Sequence, residues 1–254
     1  MDDTVIRQFH DALRQGADAF NAGNQPEALN HFERAILLAD DIHDVERRRT
    51  EMRETALLLV QGRLAEMGRV LAQKAVQLDE QVGNRRHLGQ DLLTLGWAEM
   101  QLGHMPEAKA IFERALEIAE KNGDYDTAAG ALTNRAIIIG AGKRYELASV
   151  DEGIRLLRKS LDYLERRKKD EFEIITRIAL VQALEVSGAS IDEMLPVAQI
   201  LFSRFAKVLR KDQWDGAVGP LRKAFQRYMK DRPGANMDEW LQQRIPELRQ
   251  QRAG

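Results

Sequence analysis

The sequence contains no cysteine, which excludes disulfides, thiolate metal sites and a cysteine nucleophile together and suits a reducing, cytoplasmic setting. It has almost no excess charge. Its 38 basic and 40 acidic residues leave a net charge of −2, without the field that gathers nucleic acid or an anionic membrane surface. Long apolar runs are missing too: residues 56–60 and 136–139 fall far short of a bilayer span, and Met1-Asp2-Asp3 opens no secretory signal. Neither nucleic acid nor a membrane is therefore expected as a partner. His10, His31, His43, His87 and His104 stand far apart, with no pair at helical ligand spacing and no calcium-loop array of carboxylates, so no metal is expected. Gly140 and Gly142 precede Lys143, but the strand and spacing of a phosphate-cradling loop are absent, and no serine sits in a nucleophile elbow. No catalytic residue and no cofactor is assigned, and the chain is not expected to be an enzyme.

Prolines number only six, while Ala, Leu, Glu, Gln and Arg dominate and apolar residues recur at steps of three and four. The expectation is an all-α protein. Breaks at 23–26, 40–44, 83–84, 103–106, 122–124, 140–143, 187–190, 211–214 and 232–236, with a weaker one near Gly62, cut it into about ten helices. Asp40, Asp41 and Asp44 fall at such a break and read as helix caps. The runs Arg47-Arg48-Arg49 and Arg166-Arg167-Lys168-Lys169 read as solvated helix ends, each being followed closely by acidic residues.

A fixed period organises these helices. Gly16, Gly23, Pro26, Glu27, Ala28, Phe32, Glu33, Arg34, Ala35 and Ala39 recur, without a gap, as Gly96, Gly103, Pro106, Glu107, Ala108, Phe112, Glu113, Arg114, Ala115 and Ala119. Halfway between, Gly68, Ala72, Ala75 and Val76 occupy the register of Ala28, Phe32, Ala35 and Ile36, so the period is about 40 residues. A fourth copy begins near Ala136 and, after an insertion at 144–151, resumes at Gly153, Leu157, Ser160 and Leu161. Glycine inside a helix costs about 1 kcal/mol against alanine, so Gly16 and Gly96 call for close approach of a second helix. Phe32 and Phe112 fill space beside that seam, and Pro26 and Pro106 suit a first helical turn.

On these residues the chain resembles the tetratricopeptide repeat family, in its long-repeat branch. The resemblance covers residues 1–169, as about four helix pairs, and leaves 170–254 as a C-terminal helical extension, a degenerate repeat plus cap. It implies a right-handed superhelical solenoid of helix-turn-helix repeats with C-terminal capping helices, whose first helices line a concave groove for a protein or extended peptide. Carried onto this sequence, the groove positions are Leu13, Phe20 and Asn21 in copy one; Arg53, Leu57, Val60 and Gln61 in copy two; Leu93, Trp97, Met100 and Gln101 in copy three; and Ile137 in copy four. Asn21, Gln61 and Gln101 place an amide at each 40-residue step, able to pair with an extended backbone, beside an adaptable apolar floor. Apart from Arg53 these positions are apolar or amide, which disfavours recognition of an acidic C-terminal tail.

The expected function is a non-catalytic adaptor or scaffold; the alternatives are a peptide-sensing regulator or an accessory subunit of an enzyme complex. Beyond 170, the stretch with Ile200, Leu201, Phe202, Phe205, Val208, Leu209, Trp214 and Phe225 is the most apolar in the chain and reads mainly as core. Copies of the chain could also associate through these C-terminal helices.

Overall fold

The turns between helices are short and locally encoded. Gly23 and Gly103 stand at the same place in copies one and three, with φ of 79° and 85°, a left-handed conformation that side chains resist. A Cβ on either would meet nothing within 4 Å, so these two glycines serve conformation rather than space. Pro26 and Pro106 occupy the first turn of the following helices, as expected. Asp44 caps the next one, its Oδ1 accepting from the Arg47 amide at 3.0 Å. The Asp2 carboxylate accepts from the amides of His43 (3.2 Å) and Asp44 (3.0 Å), tying the start of the chain to the same turn.

The computed structural model describes residues 2–62, 64–83, 85–141, 149–165, 170–229 and 236–253. They form the helices α1 (Asp2–Asn21), α2 (Gln25–Asp40), α3 (Val45–Gln61), α4 (Ala65–Gln81), α5 (Arg85–Gln101), α6 (Met105–Asn122), α7 (Tyr125–Ala141), α8 (Val150–Glu165), α9 (Asp170–Val186), α10 (Ile191–Phe205), α11 (Lys211–Tyr228) and α12 (Met237–Arg244), then a 3-10 segment, Pro246–Ala253. No strand occurs among the described residues. The described residues form twelve α-helices where about ten were expected, the breaks read from the sequence having included only a weak one near Gly62 and none between α8 and α9. The break expected at 211–214 lies at 206–210, before α11. The insertion at 144–151 and the basic run at 166–169 lie largely or wholly outside the described residues.

The chain divides into two compact units, Met1–Gly123 and Asp124–Gly254. The first holds three helical hairpins, α1–α2, α3–α4 and α5–α6, with α4 packed along α5 and α3 touching α5. In the outer two hairpins the seam is a glycine under a phenylalanine. A Cβ on Gly16 would lie 2.7 Å from Phe32 Cε1, and one on Gly96 2.6 Å from Phe112 Cε1. The middle hairpin solves the same seam differently. Ala56 and Ala72 take the register of the Gly–Phe pair, and the small residue moves to Gly68, where a Cβ would lie 2.5 Å from Val60 Cγ2.

The second unit packs α7 against α8, and α9 against α7, α8, α10 and α11. The boundary expected at 169 falls inside it, since the fourth hairpin and the C-terminal helices share one core of Ala136, Leu157, Leu161, Leu180, Leu201, Phe202, Trp214, Leu221 and Phe225. Phe202 and Trp214 meet edge to face at 4.7 Å. Most of the apolar stretch read as core is buried, whereas Ile200 and Val208 stay exposed. Several buried polar side chains of this unit pair with one another. Thr133 Oγ1 meets Ser160 Oγ and Thr176 Oγ1, each at 2.9 Å, and Arg177 and Arg204 reach Glu173 Oε1 at 2.8 and 2.7 Å.

Candidate partner-binding face

In the first unit α1, α3 and α5 follow one another, joined by side-chain cross-links, among them Arg47 Nη1 donating to Asp3 Oδ1 at 2.8 Å between α1 and α3. His10 Nε2 meets Glu51 Oε2 at 2.7 Å between α1 and α3. Gln101 Nε2 donates to the Val60 carbonyl at 3.0 Å between α5 and α3, filling one acceptor that the end of α3 leaves open. Of the apolar positions expected on this face, Leu13, Phe20, Leu93, Trp97 and Met100 are half-buried, and Leu57 is 39% exposed. Asn21 and Gln61 are exposed at the C-terminal ends of their helices, and neither side-chain amide forms a hydrogen bond with another described residue.

Two of the expected positions change character. Val60 is fully buried, because Gly68 lets α4 lie directly on it; it belongs to the hairpin seam and is withdrawn from the face. Gln101 spends one amide hydrogen on α3 and keeps the other, with its oxygen, for an outside partner. Ile137 lies in the second unit, where with Ala136, Val150, Leu157, Ala183 and Val186 it lines an apolar cavity of about 360 Å³.

Behind the face lies a cluster that local sequence patterns conceal. Arg49 is 3% exposed, so of the basic run at 47–49, expected to be a solvated helix end, Arg47 is exposed but Arg49 is not. Its third member turns inward, with Nε 3.4 Å from Asp79 Oδ1 and Nη2 on Glu46. Asp79 on α4 and Asp91 on α5 are buried, and Arg53 on α3 and His87 on α5 are half-buried. Both oxygens of each aspartate, Arg49 Nη1, Arg53 Nη1 and His87 Nδ1 are buried without a hydrogen-bond partner when the carboxyls carry no proton. Asp79 and Asp91 are nevertheless within hydrogen-bonding reach of each other, a bond that exists only if one of them is protonated. Burial, then the Asp79 charge, pushes Asp91 up to about 8. Burial raises Asp79 as well, and it lowers His87, with Arg49 adding to the effect.

The repeat register carries the signal for this cluster. Arg49 stands where the other copies have Phe9, Gly89 and Ala129, and Asp79 where they have the buried Ala39 and Ala119. Among the described residues no group of three or more His, Asp or Glu is arranged to hold a metal, and no helix is long and apolar enough to cross a membrane.

No known family profile matches the sequence, and no curated protein matches it. Among solved structures the chain is similar to a Podosopora anserina kinesin light chain-type protein of nearly identical TPR-like repeats, with 16% identity and a TM-score of 0.57 over 83% of this chain and 97% of that one. It is similar also to BtubC from P. vanneervenii, with 14% identity and a TM-score of 0.51 over 91% and 94% of the two chains. With the 40-residue period, the hairpin order and the small-residue seams, these likenesses establish that the chain has the tetratricopeptide-like, all-helical repeat fold.

Proposed function

We propose that this chain is a protein-interaction module that holds an extended segment of a partner along α1, α3 and α5. The observation that carries the reading is the pairing, at repeat spacing, of exposed unbonded amides, Asn21 and Gln61, with incompletely buried apolar side chains, Phe20, Leu57, Trp97 and Met100. Each amide can donate to the carbonyl and accept from the N–H of one residue of an extended chain, so the amides fix the course of the backbone. Trp97 and Met100 supply the apolar anchor, a rigid ring beside a side chain that adapts its shape. Arg53 and Leu93 complete the contact set, with Leu13 at the first hairpin and the remaining N–H and oxygen of Gln101 at the third. Ile137 serves as a separate apolar contact in the second unit. The face offers amides and hydrocarbon but no nucleophile, which suits binding rather than turnover.

A library of displayed unstructured peptides, selected on the intact chain, tests this. Selected sequences should lose at least about tenfold in affinity for Asn21→Ala/Gln61→Ala, and more for Trp97→Ala, with stability unchanged in the amide variant. Equal affinity for the amide variant would remove the backbone-reading role, and equal affinity for Trp97→Ala as well would move binding off this face.

A further inference from the structure

Arg49 and Asp79 of the first unit occupy places that its other repeats fill with apolar or small residues. Asp91 is buried where copies one and two carry the exposed Asp11 and the half-buried Glu51, and the two aspartates face each other across the α4–α5 junction. Asp79 ends α4 with no side-chain exposure, and Asp91 lies 1% exposed between the buried Leu88 and Leu95 of α5. Two ionised carboxylates in such contact repel in a medium where charge is poorly screened, whereas one shared proton turns repulsion into a hydrogen bond.

We propose that Asp79 and Asp91 form a proton-sharing latch between the second and third hairpins, closed while one proton is held and released when it is lost. Every neighbouring element contributes to its electrostatics. From α3, Arg49 pairs with Asp79 and with Glu46, and the half-buried Arg53 adds a second positive charge. These cations favour keeping one carboxylate ionised, which is the acceptor of the shared bond. From α5, His87 is held neutral by burial and by Arg49, so it adds no charge near pH 7. From α6, Arg114 and Lys121 border a cavity of about 440 Å³ that Asp79 also lines, but each is paired, with Glu80 and Glu117 respectively. From α2, Asp40 is paired with Lys74 of α4 at 2.6 Å. None of these cations replaces the proton between the two aspartates. Its loss therefore leaves a second buried negative charge at the seam that joins the hairpins.

The direction with pH follows from linkage. Below the unfolded-state value of an aspartate, folded and unfolded chains both carry the proton, and the latch has no pH dependence. As pH rises past that value the unfolded chain ionises while Asp91 stays protonated in the folded one, so stability of the first unit falls with rising pH. The fall ends near pH 8, where the folded chain also releases the proton. His87 works in the opposite sense, destabilising the fold as pH drops below the ordinary histidine range, so the latch must be read as a difference between variants.

Asp91→Asn keeps the shape and donates to Asp79 without a titrating proton. Urea unfolding of intact wild type and Asp91→Asn, followed by fluorine NMR of fluorotryptophan-labelled protein to isolate Trp97, provides the comparison. Between pH 5 and pH 7 the folding constant of wild type should fall about tenfold per pH unit relative to the variant. Carbon NMR of the aspartate carboxyls should show one group titrating near pH 8 in wild type and missing in Asp91→Asn. Parallel stability curves for the two proteins, or complete titration of every aspartate by pH 6, would overturn the latch. Neither readout involves a partner, so the proposed binding face and the latch stand or fall separately.

Discussion

Gly96→Ala separates a packing constraint from a backbone preference at one atom. Gly96 is in the middle of α5, and alanine there would gain about 1 kcal/mol of helix propensity. The new Cβ would lie 2.6 Å from Phe112 Cε1 and 2.8 Å from Cδ1, where carbon atoms rest at about 3.5–4 Å. The ring must move by roughly an ångström, yet Phe112 is fully buried between Ala108 and Ala115, which are buried as completely. Overpacking of this kind costs about 1–3 kcal/mol, and a ring with no exposed edge belongs toward the upper figure. The expected net loss is about 1–2 kcal/mol. The fourth hairpin shows the compensation, since Ala136 and Leu157 hold the same register there. Gly96→Ala/Phe112→Leu should therefore be more stable than the sum of its single variants by about 1 kcal/mol or more. Urea unfolding read at fluorotryptophan-labelled Trp97, one residue away, measures all corners of the cycle. A stabilised Gly96→Ala, or additive single effects, would refute the view that this glycine is there for the ring.

Two further outcomes follow from named bonds. Gln101→Ala should lower the stability of the first unit by about 1 kcal/mol through loss of its bond to the Val60 carbonyl, whereas Asn21→Ala, which breaks no bond, should leave it unchanged; urea unfolding compares them. In the second unit Arg177→Met should cost about 3 kcal/mol, because fully buried Glu173 would keep only the half-exposed Arg204, and unfolding monitored at buried Trp214 checks it.

The order of helices, the 40-residue period and the glycine–phenylalanine seams were legible because each is written by residues whose physical demand is local and repeated. Gly16 with Phe32 says the same thing as Gly96 with Phe112, and the structure places both pairs in contact. The partner face was legible as a set of register positions, but not their burial. Val60 shares its register with Phe20 and Met100, which remain half-buried; it is covered only because Gly68 replaces the alanine of its neighbours and brings α4 closer. The charge cluster was misread for a related reason. A run of three arginines at a helix start has the local pattern of solvated charge, and the partner of the third lies on α4, 30 residues on. Comparison down the repeat register reveals it, since an arginine in the place of Phe9 must either leave the core or bring an anion into it. The shared core of the second unit was not legible, because the repeat residues fade beyond α8 while the core continues through α9, α10 and α11.

The register also predicts how the cluster responds to partial and to complete removal. Arg49→Ala strips Asp79 of the cation 3.4 Å away and leaves a fully buried carboxyl beside Asp91, so it should destabilise the first unit by about 3–5 kcal/mol. Arg49→Phe/Asp79→Ala/Asp91→Ala removes both signs together and installs what the chain already uses at Phe9, Ala39 and Ala131. Glu46 and Arg53 then remain with access to water, and no buried ion is left alone. Replacing a buried ionic group by apolar residues is commonly neutral or stabilising by about 1–4 kcal/mol, so the triple variant should equal or exceed wild type at pH 7 and lose the decline toward pH 8. Urea unfolding of the three proteins at pH 6 and pH 8 decides the matter. If the triple variant is as unstable as Arg49→Ala, the charges themselves hold α4 to α5, and the copies on either side are not valid templates for this junction. If it is the most stable protein and flat with pH, stability is not what these charges supply; what they supply is the response to a proton.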